Sequence, residues 1–356
     1  MSRRMRPQPL GRRPAVTVVI PCYNYGHYLP IAVGSVLEQP GVDVRVIVID
    51  DASSDGSSAV ARELASADDR VRAIVHETNR GHIATYNEGL RQAETAYVAL
   101  LSADDALPAG SLARATALLE ANPSVGLVYG HPITFTDDLP PTSTSVRSWT
   151  VWSGEEWIER RCRTGRNCIV NPEVLMRTSV QHAIGGYDPE LPHSGDFEMW
   201  LRAASVSDIG RVNGSTQGLY RIHASSMQRT TYAGHAIDLE GRLDAFEKLL
   251  IGPQAQVANG EALLATAKRA LALLALGHAR SAYAHGRAGD EPVDEYLAFA
   301  VRMWPSLPGS RKWRAMMRRA SADACDIHRG LEARSLRLAE DLRWRVRWRR
   351  WRWTGV

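Results

Sequence analysis

Ala96-Tyr97-Val98-Ala99-Leu100-Leu101-Ser102-Ala103-Asp104-Asp105 is an apolar run that ends on two adjacent carboxylates. Its first six residues carry no charge, the pattern of a strand buried on both faces. Open α/β sheets with helices on both faces bind their ligands beyond the carboxyl ends of the strands. Asp104 and Asp105 would emerge at such an end. Two readings stand side by side here. One is a turn cap, since Asp is common where a chain leaves a strand. The other is a hard-cation site, because Mg2+ or Mn2+ on a diphosphate takes oxygen ligands and usually only one or two from protein.

The same alternation extends in both directions. Strands are predicted at Val16–Ile20, Val44–Ile49, Val71–Val75, Tyr97–Leu101 and Val125–Tyr129. Helical patterns separate them at Tyr28–Glu38, Ser57–Ala67, Ile83–Ala93 and Ser111–Ala121. This spacing predicts βαβ units and an α/β fold with a mostly parallel sheet. Pro140-Pro141-Thr142-Ser143-Thr144-Ser145 reads as a loop. After it come helices around Glu155–Cys162 and Phe197–Ala204, a turn at Gly185-Gly186, and short strands at Ile209–Val212 and Gly218–Ile222. From about Thr230 the chain is helix-periodic, over Ile237–Leu250, Gly260–Ala284 and Val293–Trp304, as an all-helical packing module would be. The expected parts are a basic disordered arm at 1–14, an α/β domain at 15–229, a helical domain at 230–340 and a tail at 341–356.

A chain of 356 residues can bury a large core, and its length suggests two domains. The net charge of +4 is too small for a global nucleic-acid signature but is unevenly placed. Basic residues crowd Arg3-Arg4-Met5-Arg6, Arg12-Arg13 and the C-terminal tail. No apolar stretch follows the first cluster, so it is not read as a secretory signal. Ala262–Ala275, the most apolar run, is interrupted by Lys268 and Arg269 and is not read as a membrane span. Cys22, Cys162, Cys168 and Cys325 fit neither disulfide-framework nor zinc spacing, which makes a cytoplasmic location the expectation.

The first strand runs into Pro21-Cys22-Tyr23-Asn24-Tyr25-Gly26 and the second into Asp50-Asp51-Ala52-Ser53-Ser54-Asp55-Gly56, at the same sheet edge as Asp104 and Asp105. A carboxylate there can accept hydrogen bonds from a base or from ribose hydroxyls, or can cap its own turn, as Asp55-Gly56 does. Val16–Asn24 followed by Val48–Ser57 closely resembles the opening of the family 2 glycosyltransferases. Asn79-Arg80-Gly81 with Asn87-Glu88-Gly89-Leu90 resembles the family's next block, and Leu101–Asp105 its metal and sugar-nucleotide motif. The resemblance covers roughly residues 15–225, and its strength lies in the order and spacing of the blocks. Many relatives have another acidic residue where this chain has Ser102, which leaves the metal contact to the last two carboxylates.

The resemblance implies a GT-A fold, inverting transfer and a nucleotide-diphospho-sugar donor. Pro21, Tyr23, Asn24 and Asp51 would surround the nucleoside, Asp104 would touch ribose or sugar, and Asp105 would hold Mn2+ or Mg2+. Arg80 could assist at the diphosphate, or could be a solvated surface residue. Gly185-Gly186-Tyr187-Asp188-Pro189-Glu190, followed by Gly195-Asp196-Phe197-Glu198, resembles the turn and acidic helix start that supply the base in relatives. Asp196 matches the base and Glu198 a second acidic position, while Gly195 stands where relatives often carry Glu. A carboxylate at a helix start can also be a simple cap. His223, in Tyr220-Arg221-Ile222-His223, matches a histidine that often completes the metal or diphosphate site. The acceptor would be a hydroxyl of a saccharide, lipid-linked saccharide or small molecule.

Trp344, Trp348 and Trp351 of the tail are expected on one helical face with arginines over much of the rest. Such a segment suits a membrane interface on the cytoplasmic side, cation–π packing against the protein body or RNA phosphates. Two other functions were weighed. A sugar-phosphate nucleotidyltransferase would want a basic, Gly-rich loop after the first strand, and Pro21–Gly26 is poor in both. A non-catalytic sugar-nucleotide or carbohydrate-binding protein would have no need of Asp104, Asp105, Asp196 and His223 together.

Overall fold

The computed structural model describes residues 2–226, 234–253, 255 and 257–323, and positions 338, 342, 345, 346, 348, 349, 351 and 355 of the tail. The chain divides into two compact units. One comprises Met1–Ile158 with Ile169–Ser226, the other Glu159–Cys168 with Met227–Val356.

The first unit is built on a nine-stranded sheet. In chain order its strands are β1 (Arg3–Met5), β2 (Ala15–Cys22), β3 (Asp43–Asp50), β4 (Val71–Val75), β5 (Tyr97–Leu100), β6 (Val125–Tyr129), β8 (Ser148–Trp152), β9 (Leu175–Arg177) and β10 (Asp208–Asn213). Across the sheet they lie in the order β1-β8-β10-β6-β9-β5-β2-β3-β4. The pairings β2–β3, β2–β5, β3–β4 and β6–β10 are parallel. Only β8 and β9 run against the rest of this sheet. The mostly parallel α/β architecture is thus the one expected, with β9 slotted antiparallel between β5 and β6 as the feature that periodicity does not show. A separate parallel pair joins β7 (Pro132–Phe135) to β11 (Gly218–Arg221).

Helices cover both faces because β2 is apolar on both. Val16, Val18 and Ile20 pack with Leu29, Ala32, Val33 and Val36 of α1 (Leu29–Leu37). Val19 meets α3 (His82–Arg91) at Gly89, where a Cβ would fall 2.2 Å from Val19 Cγ1. The helix lies against the strand only because position 89 has no side chain. Around the sheet follow α2 (Ser57–Ala67), α4 (Ser111–Ala121), α6 (Thr178–Ile184) and α7 (Gly195–Val206), while α5 (Gly154–Thr164) crosses the division between the units. Arg3–Met5, expected within a disordered arm, is an edge strand on β8, with Arg4 Nε donating to Ser148 Oγ at 3.0 Å.

The second unit is helical where it is described. Its helices are α8 (His235–Ile251), α9 (Gly260–Ala284), α10 (Val293–Met303) and α11 (Arg311–Asp323). α9 packs against the other three, burying Leu264, Ala267, Leu271, Ala275, Ala279 and Ala282. By length and composition α9 could cross a membrane, since its apolar window reaches a mean hydropathy of 1.3. Lys268 and Arg269 interrupt that run, and Lys268 pairs with Glu247 of α8 at 2.7 Å.

Candidate active site

The acidic pair sits in a turn that β11 holds in place. Asp105 N–H closes the turn on Ser102 O at 3.0 Å, and Ala106 exchanges two backbone bonds with Leu219, at 3.1 and 2.9 Å. Next along β11, Arg221 N–H donates to Asp105 Oδ1 at 2.9 Å. The Arg221 guanidinium donates to the carbonyls of Asp104, Thr136 and Asp137, at 2.8, 2.9 and 2.9 Å. It lies between the rings of Tyr28 and Phe135, 4.6 and 4.3 Å from their centroids. A buried cation thus lies behind two carboxylates and fixes their backbone.

The two carboxylates differ. Asp104 Oδ2 lies 2.9 Å from His223 Nε2, and His223 Nδ1 lies 2.8 Å from Ser225 Oγ. The rings of Tyr25 and Tyr28 flank that imidazole at 5.3 and 5.6 Å. Asp105 is 1% exposed, and its Oδ2 meets no hydrogen-bond partner among the described residues. Burial first, then the charges of Asp104 and Asp196, push its carboxyl well above the usual range. A buried, unpartnered carboxylate oxygen is costly unless a proton or a cation meets it. Among the described residues no three His, Cys, Asp or Glu side chains close on one point as a metal cage. A cation that arrives on a diphosphate needs only one or two protein oxygens, so Asp105 with Asp104 beside it fits Mn2+ or Mg2+. His223, expected at the metal or diphosphate, lies against Asp104 in the same turn region.

A second cluster gathers around Asp51, one of the residues expected near the nucleoside. Asp51 is 3% exposed and accepts Arg80 N–H and Gly81 N–H, at 2.8 and 2.9 Å. Its Oδ1 also lies 2.7 Å from His76 Nδ1. Burial alone would raise its carboxyl, but the Arg80 N–H and His76 hold it below the usual range. His76 Nε2 reaches Glu88 at 3.0 Å, and Glu88 takes Arg80 Nη1 at 3.0 Å. Asp51, expected against the nucleoside, therefore anchors the 79–81 loop with both oxygens.

Asn24, at φ 58°, accepts Ser54 N–H at 2.9 Å and ties the two edge loops together. Ala52, at φ 59°, is held in the left-handed region that L-residues with a Cβ avoid. Pro21 is buried within β2, opposite Ile49. Its missing N–H costs the β5 ladder nothing, since that register ends at Val19↔Leu100. Tyr23, also expected near the nucleoside, projects and is 51% exposed.

The third cluster stands at the start of α7. Asp196 Oδ1 accepts the Tyr187 O–H at 2.8 Å. Burial raises the Asp196 carboxyl, and the bond from Tyr187 opposes that rise. Glu198 is 2% exposed and is gripped by Arg202 through both oxygens, at 2.6 and 2.7 Å. Arg202 also donates to Gly186 O at 2.7 Å and to Ile184 O. Glu198 thus belongs to a brace on the Gly185-Gly186 turn, while Asp196 is the carboxylate that acts on Asp105. His76, Arg202, Arg221 and Tyr187 received no individual role from sequence. Their partners lie 25, 16, 116 and 9 residues away, which no local spacing reveals.

Residues 17–183 match the sequence profile of Glycosyl transferase family 2. The succinoglycan biosynthesis protein ExoO of Rhizobium meliloti (strain 1021) is 30% identical over 247 residues, which is 65% of this chain and 67% of that protein. An uncharacterized glycosyltransferase of Haemophilus influenzae is 24% identical, over 60% of this chain and 67% of its own. Among solved structures, S. aureus TarS 1–349 in complex with UDP-GlcNAc shares the fold at a TM-score of 0.55 and 16% identity, covering 80% of this chain and 90% of its own. The mannosyltransferase PcManGT of Pyrobaculum calidifontis, in complex with GDP-Man and Mn2+, does so at 0.54 and 18%, over 85% and 90%. Profile, relatives and architecture agree with the motif order along the first unit: the chain belongs to the family 2 glycosyltransferases.

Proposed function

We propose that this glycosyltransferase moves a sugar from a nucleotide-diphospho-sugar to an acceptor hydroxyl by a single displacement with inversion. Asp196 takes the acceptor's proton as that oxygen bonds to the anomeric carbon. The bond from that carbon to the diphosphate oxygen breaks on the opposite face, and its electron pair leaves with the nucleoside diphosphate. A divalent cation held by Asp105, beside Asp104, would neutralise charge on that leaving group. His223 holds Asp104 in position for ribose or sugar, and Asp51 shapes the loop around the nucleoside.

The observation that carries this reading is the buried Oδ2 of Asp105, without a hydrogen-bond partner among the described residues, next to Asp104 and within electrostatic reach of Asp196. UDP-GlcNAc and GDP-Man, named with the structural neighbours, are the first donors to try. Thermal unfolding with UDP-GlcNAc, UDP-glucose and GDP-Man, each with and without Mn2+, tests it. One donor should stabilise the fold in a Mn2+-dependent way, by about 2.7 kcal/mol at a hundredfold excess over Kd. Asp105→Ala should abolish that Mn2+ dependence. No stabilisation by any sugar nucleotide would overturn the reading.

Exposed apolar and basic residues of the tail support a membrane-peripheral placement. Leu338, Leu342 and Val346 occupy helical positions four residues apart and are 69%, 63% and 56% exposed, with exposed Arg345 and Arg349 nearby. Trp348 is 40% exposed and stacks on Trp351 at 4.9 Å. Trp351 itself donates Nε1–H to Cys168 O at 3.2 Å. Two of the three tryptophans expected on one helical face, Trp348 and Trp351, thus lie together, and Trp344 lies outside the described residues.

A further inference from the structure

The proposed base has a support that the displacement itself does not use. Tyr187 donates its O–H to Asp196 Oδ1 at 2.8 Å, and the ring is only 4% exposed. The backbone of Tyr187 is pinned on both sides by one side chain: its N–H donates to Asn87 Oδ1 at 2.6 Å, and Asn87 Nδ2 donates to Tyr187 O at 2.8 Å. Two glycines make room for this arrangement. A Cβ on Gly186 would fall 2.2 Å from Asn87 Oδ1, and a Cβ on Gly195 would fall 2.9 Å from Tyr187 Cδ1. Gly195, which stands where family relatives often carry Glu, is the position against which the Tyr187 ring lies.

We propose that Tyr187 is the positioning residue of the base, its O–H fixing one oxygen of Asp196 so that the other faces the acceptor hydroxyl. The inference rests on the reading of Asp196 as the base. An unrestrained carboxylate samples several rotamers, and alignment within a fraction of an ångström governs how fast a proton moves. A base oriented by a third hydrogen-bonding group is a recurring arrangement in catalysis. Tyr187 suits the task because burial, and then the charge of Asp196, push its phenol well above the usual range, so it always donates. A donor to Asp196 also favours the carboxylate form against burial. The other ionisable groups that act on Tyr187 are Tyr86 of α3 and Arg202 of α7, and Asp196 itself acts on Asp105 of the acidic turn. Phenylalanine would fill the same space without the bond, so packing and positioning can be separated.

Full-length protein labelled with 13C at the aspartate carboxyls reports the Asp196 titration directly, with the resonance assigned by its loss in Asp196→Asn. In Tyr187→Phe, Asp196 should titrate at higher pH, because a donor to its charged form is gone. Turnover of the donor found above should fall about tenfold in kcat, the rate equivalent of one such bond. Donor KM and melting temperature should stay near those of the parent. Gly195→Ala keeps the phenol but crowds its ring, so it should move the titration the same way, and the double variant should add little to either. An unmoved titration and a parental kcat in Tyr187→Phe, with Asp196→Asn inactive, would overturn the role of Tyr187 alone. Parental transfer by Asp196→Asn would overturn the base assignment itself.

Discussion

Asp196 and Glu198 are two residues apart on one helix turn, yet their surroundings give them different work. Both oxygens of Glu198 are engaged by Arg202, whereas Asp196 gives one oxygen to Tyr187. Asp196→Asn should therefore retain donor binding and lose roughly 10²–10⁴ in transfer rate, as removal of a general base does. Glu198→Gln should lower the melting temperature through the Gly186 turn, with a smaller effect on rate per folded molecule. The pH profile carries the sign. A base works deprotonated and burial raises the Asp196 carboxyl, so kcat should fall on acidification from a higher pH than an ordinary carboxylate would give. Rate profiles of the two variants and the parent check both points. The acidic residues themselves were legible in sequence, because they follow a strand or open a helix. What holds them was not, since Arg221 lies 116 residues from Asp105 and His76 is a single histidine after a strand.

Among the elements, α3 joins the parts. Asn87 pins the turn that carries Tyr187, Glu88 meets His76 and Arg80 beside the donor loop, and Gly89 seats the helix on Val19. Three consecutive residues thus serve the turn of Tyr187, the 79–81 loop and the packing of α3 on β2. Gly89→Ala should force the helix off β2 at a cost of about 1–3 kcal/mol, typical of overpacking. Donor affinity and kcat should fall together, because both loops depend on the same helix. Gly34→Ala in α1 meets nothing within 4 Å and should be neutral or slightly stabilising, by up to about 1 kcal/mol. Chemical denaturation with parallel activity assays distinguishes the two. The long elements of this sheet were legible because buried parallel strands are nearly continuous apolar runs, as β2 (broken only by Thr17) and β5 are. β9 was not, as three residues carry no period, and its place between β5 and β6 is fixed by pairing alone.

On the scale of the whole chain, charge and apolar exposure concentrate at the C-terminus. Leu338, Leu342 and Val346 are exposed at helical positions, and the sequence around them supplies Arg343, Arg345, Arg347, Arg349, Arg350 and Arg352. A basic segment with an apolar stripe favours the interface of an anionic bilayer, where each arginine contributes about 1 kcal/mol. Deleting Arg343–Val356 should leave transfer to a soluble acceptor close to parental, since the donor-site and base motifs lie before Ser226. It should lower co-sedimentation with anionic vesicles while hardly changing the weak binding to neutral ones. Added salt should erode the attraction of the full chain, as screening shortens to about 8 Å at physiological ionic strength. Equal sedimentation of the two proteins would remove the membrane role. Early melting of the truncated protein would instead assign the tail to packing, a role for which the Trp351 bond to Cys168 already provides one anchor.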